Sequence, residues 1–232
     1  MGRQKEEIHR HSGWLIPAAL LLAVLILSGL LLGWYLRPGV RPALEAQSGP
    51  VAVRLRGLKL AIPANYIESA TARAGGDRDA ITLTALFPSW QGYSEAQARL
   101  FAGNAPDSAV VRLSLRGDPN SLDTRDRLNR LYLPYVSNPG GALGPFGLTK
   151  YSFAPDSGYK ESDLFAGETG AGLLLFLCDR ASAEFLSPNC QAFDRPPARN
   201  LRFSYRFKRA WLGRWRELSA GAEDLISRFR QH

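Results

Sequence analysis

The chain has 232 residues, of which 45% are hydrophobic and 22% are charged, and this balance excludes wholesale disorder. Lysine and arginine outnumber aspartate and glutamate by 29 to 21, and there are only two cysteines and three histidines. Two cysteines are too few for a disulfide-rich scaffold or for a zinc or iron–sulfur site built from cysteines. The histidines are His9, His11 and His232. We therefore expect no metal centre, no cofactor and no histidine-dependent chemistry in the folded part.

A long apolar segment is the strongest signal in the sequence. No charged side chain occurs from residue 12 to residue 36, and 15–32 is almost wholly apolar. About 20 apolar residues let a helix cross the hydrocarbon core, and tryptophans such as Trp14 and Trp34 prefer its two interfaces. We predict an uncleaved transmembrane signal-anchor helix over 13–36. The alternatives are a cleaved signal peptide and a buried helix of a soluble core.

The expected topology leaves a short tail, 1–12, in the cytoplasm and the bulk of the chain outside it. Basic residues flank both ends of the apolar segment, but long domains translocate largely regardless of charge. The cysteine pair favours an oxidising compartment, which in a Gram-negative bacterium is the periplasm. Gly29 and Gly33 fit the small-xxx-small pattern of paired transmembrane helices, so a homodimer through this helix is a candidate. The alternative is that glycine is simply common in such helices.

The remaining chain predicts a linker and one extracytoplasmic domain. Residues 37–50 are rich in proline and glycine, as linkers are, and the domain spans 51–232. Apolar and polar residues alternate in several short runs, which is typical of strands in a mainly antiparallel sheet. The expected strands are 51–62, 79–87, 108–115, 146–153, 160–166, 172–178 and 201–207. The strand over 172–178 is continuously apolar, so we expect it at the centre, covered on both faces.

Three helices are expected, over 94–101, 121–132 and 210–230. The last carries an apolar stripe at intervals of three and four residues, which includes Trp211 and Trp215. Such a stripe favours the core, with a membrane surface as the alternative. The prediction is therefore an α+β fold, in which a single N-terminal transmembrane helix precedes a mainly antiparallel sheet. Two or three helices pack on one face of that sheet, and the last is a C-terminal amphipathic helix.

The two cysteines, Cys178 and Cys190, predict a structural disulfide. Eleven residues separate them, with a proline and an asparagine just before the second, so a bond would close one excursion of the chain. Two independent buried thiols are the alternative. A redox-active pair is disfavoured because no C-x-x-C motif is present.

Acid–base chemistry would depend on carboxylates, which occur in three close pairs. The pairs are Asp77 with Asp79, Asp123 with Asp126, and Glu161 with Asp163. Solvated surface charges and ion pairs along a helix explain them more simply than a catalytic pair does. No nucleophile motif and no phosphate-binding loop is present either. The sequence therefore favours a protein that is not an enzyme.

Two aromatic residues, Trp90 and Tyr93, stand in a turn-like segment just before the predicted helix over 94–101. Aromatic residues on loops are common anchors for partners, so we name both as candidate binding residues. Capping an edge of the core is an equally good explanation. Nucleic acid is not an expected partner, because no recognition motif accompanies the positive charge.

These observations favour a membrane-anchored, non-catalytic cell-envelope protein whose extracytoplasmic domain binds another protein, in an adaptor, assembly or inhibitory role. An envelope enzyme or a small-ligand-binding module that uses carboxylates and loop aromatics is the alternative. A purely structural role at the bilayer surface, where basic residues contact anionic lipids, is the third hypothesis.

Overall fold

The computed structural model describes residues 15–35, 44–183, 186 and 188–231. The chain divides into two compact units, Met1–Arg41 and Pro42–His232. The predicted cytoplasmic tail, 1–12, and the first half of the predicted linker, 37–43, lie outside the described residues.

In the first unit, helix α1 spans Leu15–Tyr35. Its segment Ile16–Gly33 has a mean hydropathy of 2.5 and none of it is buried. This length and composition suit a helix that crosses a membrane, and the predicted apolar helix is confirmed.

The second unit contains the sheets. Its strands are β1 (Pro50–Leu55), β2 (Leu58–Pro63), β3 (Gly76–Asp77), β4 (Ala80–Leu86), β5 (Val110–Gly117), β6 (Ala142–Leu143), β7 (Thr149–Ser152), β8 (Ser162–Thr169), β9 (Gly172–Asp179), β10 (Asn189–Asp194) and β11 (Leu201–Lys208). Eight of them form one antiparallel sheet in the order β4-β5-β11-β10-β9-β8-β7-β6, and the small sheet has the order β2-β1-β3. The predicted α+β class with a mainly antiparallel sheet is confirmed.

The first predicted strand, 51–62, is a hairpin, which corrects the sequence analysis. In β1 and β2, Leu55 lies opposite Leu58 in antiparallel register. Arg56 and Gly57 form the turn with φ of 45° and 90°, as a two-residue type I′ turn requires. The apolar positions change from odd to even numbers at this turn, and that change of phase is the signal in the sequence.

The helices of this unit are α2 (Ala98–Ala102), α3 (Thr124–Arg127) and α4 (Trp215–Phe229). A 3-10 turn, Arg209–Arg214, leads into α4, and a π-helical turn, Leu128–Tyr132, extends α3. The cap of α3 is Asp123, whose carboxylate accepts a hydrogen bond from the backbone N–H of Asp126 at 2.7 Å. An aspartate at this position satisfies a backbone donor that the first turn of a helix leaves free.

The main core lies between the large sheet and α4. Alternate residues of the strands point to it, and its largest fully buried side chains include Trp215, Tyr205, Phe165, Phe176 and Phe207. The amphipathic stripe predicted for the last helix thus packs on the sheet as expected.

A second core lies on the opposite face of the sheet, which corrects the expectation of helices on one face only. Tyr132, from the turn after α3, packs there with Phe153, Leu164 and Leu175. The strand β9 has Leu174 and Phe176 in the first core and Leu175 in the second, so it is covered on both faces, as its continuous apolar sequence predicts.

Candidate protein-binding surface and an adjoining cavity

Away from α4, four neighbouring strands of the large sheet present mostly polar side chains, with Leu86, Val110 and Phe193 as the large apolar exceptions. Because successive residues of a strand point to opposite faces, apolar residues of β4, β5, β10 and β11 fill the main core and their neighbours face outward. We name the following residues the open face: Thr82, Thr84, Arg112, Ser114, Arg116, Gln191, Arg202, Ser204 and Arg206.

Arginines on β5 and β11 lie directly opposite one another on the open face. Arg206 is the cross-strand partner of Arg112, and Arg202 is the partner of Arg116. Side chains in such positions stand about 5 Å apart at their Cβ atoms, and like charges there destabilise the sheet. The fold thus carries two unfavourable pairs that a negatively charged neighbour would relieve.

Only part of this positive charge is balanced. Arg112 Nε lies 3.4 Å from Glu68 Oε1, and Arg202 pairs with Asp118. Arg116 and Arg206 are exposed and form no ion pair within the part of the chain that the structure describes. The open face therefore has an excess of positive charge.

One end of the open face is covered, Thr84 and Ser204 are buried as well, and the exposed part is formed by Arg112, Arg116 and Arg206. Phe101 of α2 packs on Leu86 and Val110, where β4 and β5 meet the end of the face. Lys208 is buried there, and burial, followed by the charge of Arg112, lowers the pKa of its ammonium group. None of the open-face residues belongs to an apolar cluster of the described chain.

A cavity of about 310 Å³ lies beside the open face. The segment that leads into α3, the β8–β9 turn and the ends of β10 and β11 form its wall. We call it the arginine cavity, because its lining includes Arg125, Arg127, Arg195 and Arg202. Arg127 is 8% exposed, and its guanidinium carbon lies 4.6 Å from the centre of the Phe193 ring.

Trp90, a candidate binding residue, is part of the core and not of the surface. It is 8% exposed. Its indole packs so closely on α4 that a Cβ atom at Gly221 would lie 2.0 Å from Trp90 Nε1. The Tyr66 hydroxyl donates a hydrogen bond to the Trp90 carbonyl at 3.0 Å. The loop position suggested that Trp90 binds a partner at the surface. In the structure, Gly221 of α4 has no side chain and so leaves room for the Trp90 indole.

Tyr93 is half-buried. Its ring meets the Phe101 ring edge-on at 5.4 Å between centres. Its backbone exchanges hydrogen bonds with Asn65, since the Tyr93 N–H donates to the Asn65 carbonyl and the Asn65 amide donates to the Tyr93 carbonyl. These contacts hold its segment in place, and a role in binding stays a prediction.

Helix pairing through Gly29 and Gly33 also stays a prediction. A Cβ atom at either position would meet nothing within 4 Å. Both backbone positions are therefore open to a second helix.

Most of the candidate carboxylates have structural partners. Asp77 and Asp79 pair with arginines at the exposed turn of the first hairpin. Asp163 is buried and bonded to Lys150, Arg180 and Arg209 at 3.2, 3.2 and 2.7 Å. Burial raises the pKa of the Asp163 carboxyl, but the hydrogen bonds from Arg209 and Lys150 outweigh it, and the net direction is down. Within the described residues, no group of three metal-ligating side chains occurs.

The predicted disulfide is present. Cys178 and Cys190 face each other as cross-strand partners in β9 and β10 and are bonded. The disulfide therefore joins β9, which contributes to the second core, to β10, which contributes Gln191 to the open face. The sequence analysis did not predict β10, because its short run NCQAFD alternates over only four residues before Phe193 breaks the pattern.

No protein-family model matches this chain, and no curated protein matches it. Two solved structures are similar. Smlt3025, an immunity protein of the Stenotrophomonas maltophilia type IV secretion system, has a TM-score of 0.54 at 17% identity, covering 80% of this chain and 94% of that one. The iron-regulated outer membrane lipoprotein FrpD of Neisseria meningitidis has a TM-score of 0.35 at 12% identity, covering 81% and 98%. The first likeness shows a shared fold, and the second is too distant to support an argument.

Sequence reasoning did not identify the open face. The signal was present, because VVRLSLRG and LRFSYRFK place arginine or serine at every second position of β5 and β11. What the sequence did not show is that these two strands, far apart in the chain, are neighbours.

Proposed function

We propose that this chain is a membrane-anchored, non-catalytic protein of the cell envelope whose extracytoplasmic domain binds and inhibits another protein. The open face is the observation that carries the proposal. A polar sheet face on which Arg112, Arg116 and Arg206 are exposed is a surface on which a second protein can dock.

The chemistry of the open face selects an acidic partner. Two opposed arginine pairs and the unbalanced charges of Arg116 and Arg206 favour a surface rich in aspartate and glutamate. Such complementarity speeds association and excludes partners of the wrong charge. Arginine also binds carboxylates with two parallel hydrogen bonds, which gives the contact a defined geometry.

The inhibitory part of the proposal is supported by the fold. Smlt3025, whose fold is similar over 94% of its length, is an immunity protein of a secretion system. We propose the corresponding role here, in which binding alone neutralises the partner and no chemistry is required.

The proposed location is supported by α1 and the disulfide. An apolar helix of 21 residues supports an anchor, and a bonded cysteine pair supports an oxidising compartment such as the periplasm. The intact mass of the protein recovered from membranes tests the anchor, because a cleaved signal would remove α1.

The binding proposal is tested by cross-linking in intact host cells. The full chain, tagged and purified in a mild detergent, is expected to carry a reproducible acidic protein whose recovery falls at least tenfold in Arg206→Glu. Arg230→Glu is the matched control, since Arg230 is also exposed and without an ion pair in the described chain but lies after α4. Equal recovery from both variants, or no partner with the wild type, contradicts the proposal.

A further inference from the structure

The guanidinium of Arg127 is buried without a counter-ion. No carboxylate of the described chain lies within 4 Å of it, and it contacts the Phe193 ring and the Tyr132 hydroxyl. A buried charge without an opposite charge costs several kcal/mol, so proteins rarely leave one in this state. A cation that is 8% exposed and borders a cavity therefore indicates that an anion belongs beside it.

A second guanidinium group, that of Arg202, lines the same cavity. Arg202 uses one terminal nitrogen for Asp118, while its Nε is buried and has no hydrogen-bond partner. Two guanidinium groups thus border one space. The planar fork of such groups matches the oxygen atoms of carboxylate and phosphate.

The carboxylates in the lining do not neutralise this charge. Asp123 accepts the capping hydrogen bond of α3. Asp194 accepts hydrogen bonds from the Ser219 hydroxyl at 3.0 Å and from the Arg195 backbone N–H at 2.7 Å. Neither is paired with an arginine of the cavity among the described residues.

We infer that the arginine cavity binds a small anion that carries a carboxylate or phosphate group, held by Arg127 and Arg202. Its volume of about 310 Å³ is at the lower end of the range for small-molecule sites, about 300–1,000 Å³. The inference goes beyond the proposed protein contact and does not depend on it.

The test uses the purified full chain in a non-ionic detergent, titrated with citrate or with inorganic phosphate at constant ionic strength set by chloride. One of the two anions is expected to raise the melting temperature in a saturable way and to bind in calorimetry. The anion that does so tells whether the site takes carboxylates or phosphates. Absence of saturable binding by both overturns the inference.

Two variants separate binding from structure. Arg127→Met keeps the bulk of the side chain and removes the charge, so without anion it is expected to melt no lower than the wild type. It should lose anion affinity by about tenfold or more, the size of a charged hydrogen bond. Arg125→Met is the matched control, because Arg125 borders the cavity but is 67% exposed and pairs with Glu168. Its anion affinity should change less than about threefold.

A lower melting temperature in Arg127→Met together with unchanged anion affinity would show that Arg127 is structural only, and the inference would fail. If Arg127→Met does not fold, Arg127→Lys replaces it in the test. Lysine keeps the positive charge but lacks the planar guanidinium, so this variant should also lose anion affinity by about tenfold or more. Neither result bears on the open face, since the cross-linking experiment and the anion titration have separate readouts.

Discussion

The sheet face away from α4 has two halves that differ in what they carry. Over β7, β8 and β9 it carries Phe153, Leu164 and Leu175, buried with Tyr132. Over β4, β5 and β11 it carries mainly threonine, serine and arginine, of which Arg112, Arg116 and Arg206 are exposed. All these strands pair in the same antiparallel way. The side chains at alternate positions therefore decide which half the protein covers with its own chain and which half stays polar.

The largest expected effect is on the covered half. Leu175→Ala removes a side chain that is 0% exposed, and should lower the free energy of unfolding by about 3 kcal/mol through lost burial and the cavity left behind. Thr82→Ala on the open half is the control and should cost less than about 0.5 kcal/mol. Urea denaturation measures both. Similar costs at the two positions would show that the halves do not differ in packing.

The next largest loss of stability is expected from removal of the disulfide that joins the two halves. Replacing Cys178 and Cys190 together by alanine opens a loop with a sequence separation of 12. Loop-closure entropy predicts a loss of about 2–3 kcal/mol in the free energy of unfolding. Chemical reduction of the wild type should give the same loss. If denaturation midpoints stay unchanged in both experiments, the bond does not stabilise the junction.

The next prediction concerns the pH dependence of stability and the carboxyl of Asp194, which is buried against α4. Burial raises the pKa of the Asp194 carboxyl to about 6, with the nearby Glu223 adding to the rise. The ordinary pKa of about 3.9 applies to the unfolded chain. The native state therefore takes up a proton as the pH falls through 6 while the unfolded state does not, and stability rises. Between pH 7.5 and 5.5 the gain is about 1 kcal/mol.

Asp194→Asn should lose this rise, and at pH 7.5 it should be at least as stable as the wild type. Asp224→Asn is the control, since that carboxylate is 67% exposed, and it should keep the rise. Urea titrations at the two pH values decide the question. A rise that persists in Asp194→Asn would assign the effect to another group.

The smallest change in the free energy of unfolding is expected on the open face, and it is an increase in stability. Arg206→Glu places a carboxylate opposite Arg112, so a repulsive pair becomes an attractive one. The free energy of unfolding should increase by about 0.2–1 kcal/mol. Arg230→Glu has no cross-strand arginine and should bring no such gain. Destabilisation by Arg206→Glu would mean that the arginines serve the fold and not a partner.

The covered parts of the fold were predictable because burial leaves a pattern in the sequence. The continuous apolar run of β9 indicated a strand with two covered faces, and the stripe around Trp215 indicated the last helix. The hairpin turn at Arg56 was missed because a positive φ there is unusual for arginine, and only the change of apolar phase marks it.

The open face and the arginine cavity were not predictable, because both depend on strand order. The opposition of Arg112 and Arg206 exists only because β5 pairs with β11. Burial of Arg127 beside Phe193 likewise requires the α3 segment to pack on the far side of the sheet. Such long-range pairings are not recorded in the periodicity of either strand.

The most direct test of the central claim is site-specific photo-cross-linking in intact host cells. A photoreactive amino acid replaces Arg206 on the open face or, as the control, Arg230 after α4. We expect a covalent adduct with one acidic envelope protein from position 206 and none with that protein from position 230. The same adducts from both positions, or none from position 206, would contradict the account.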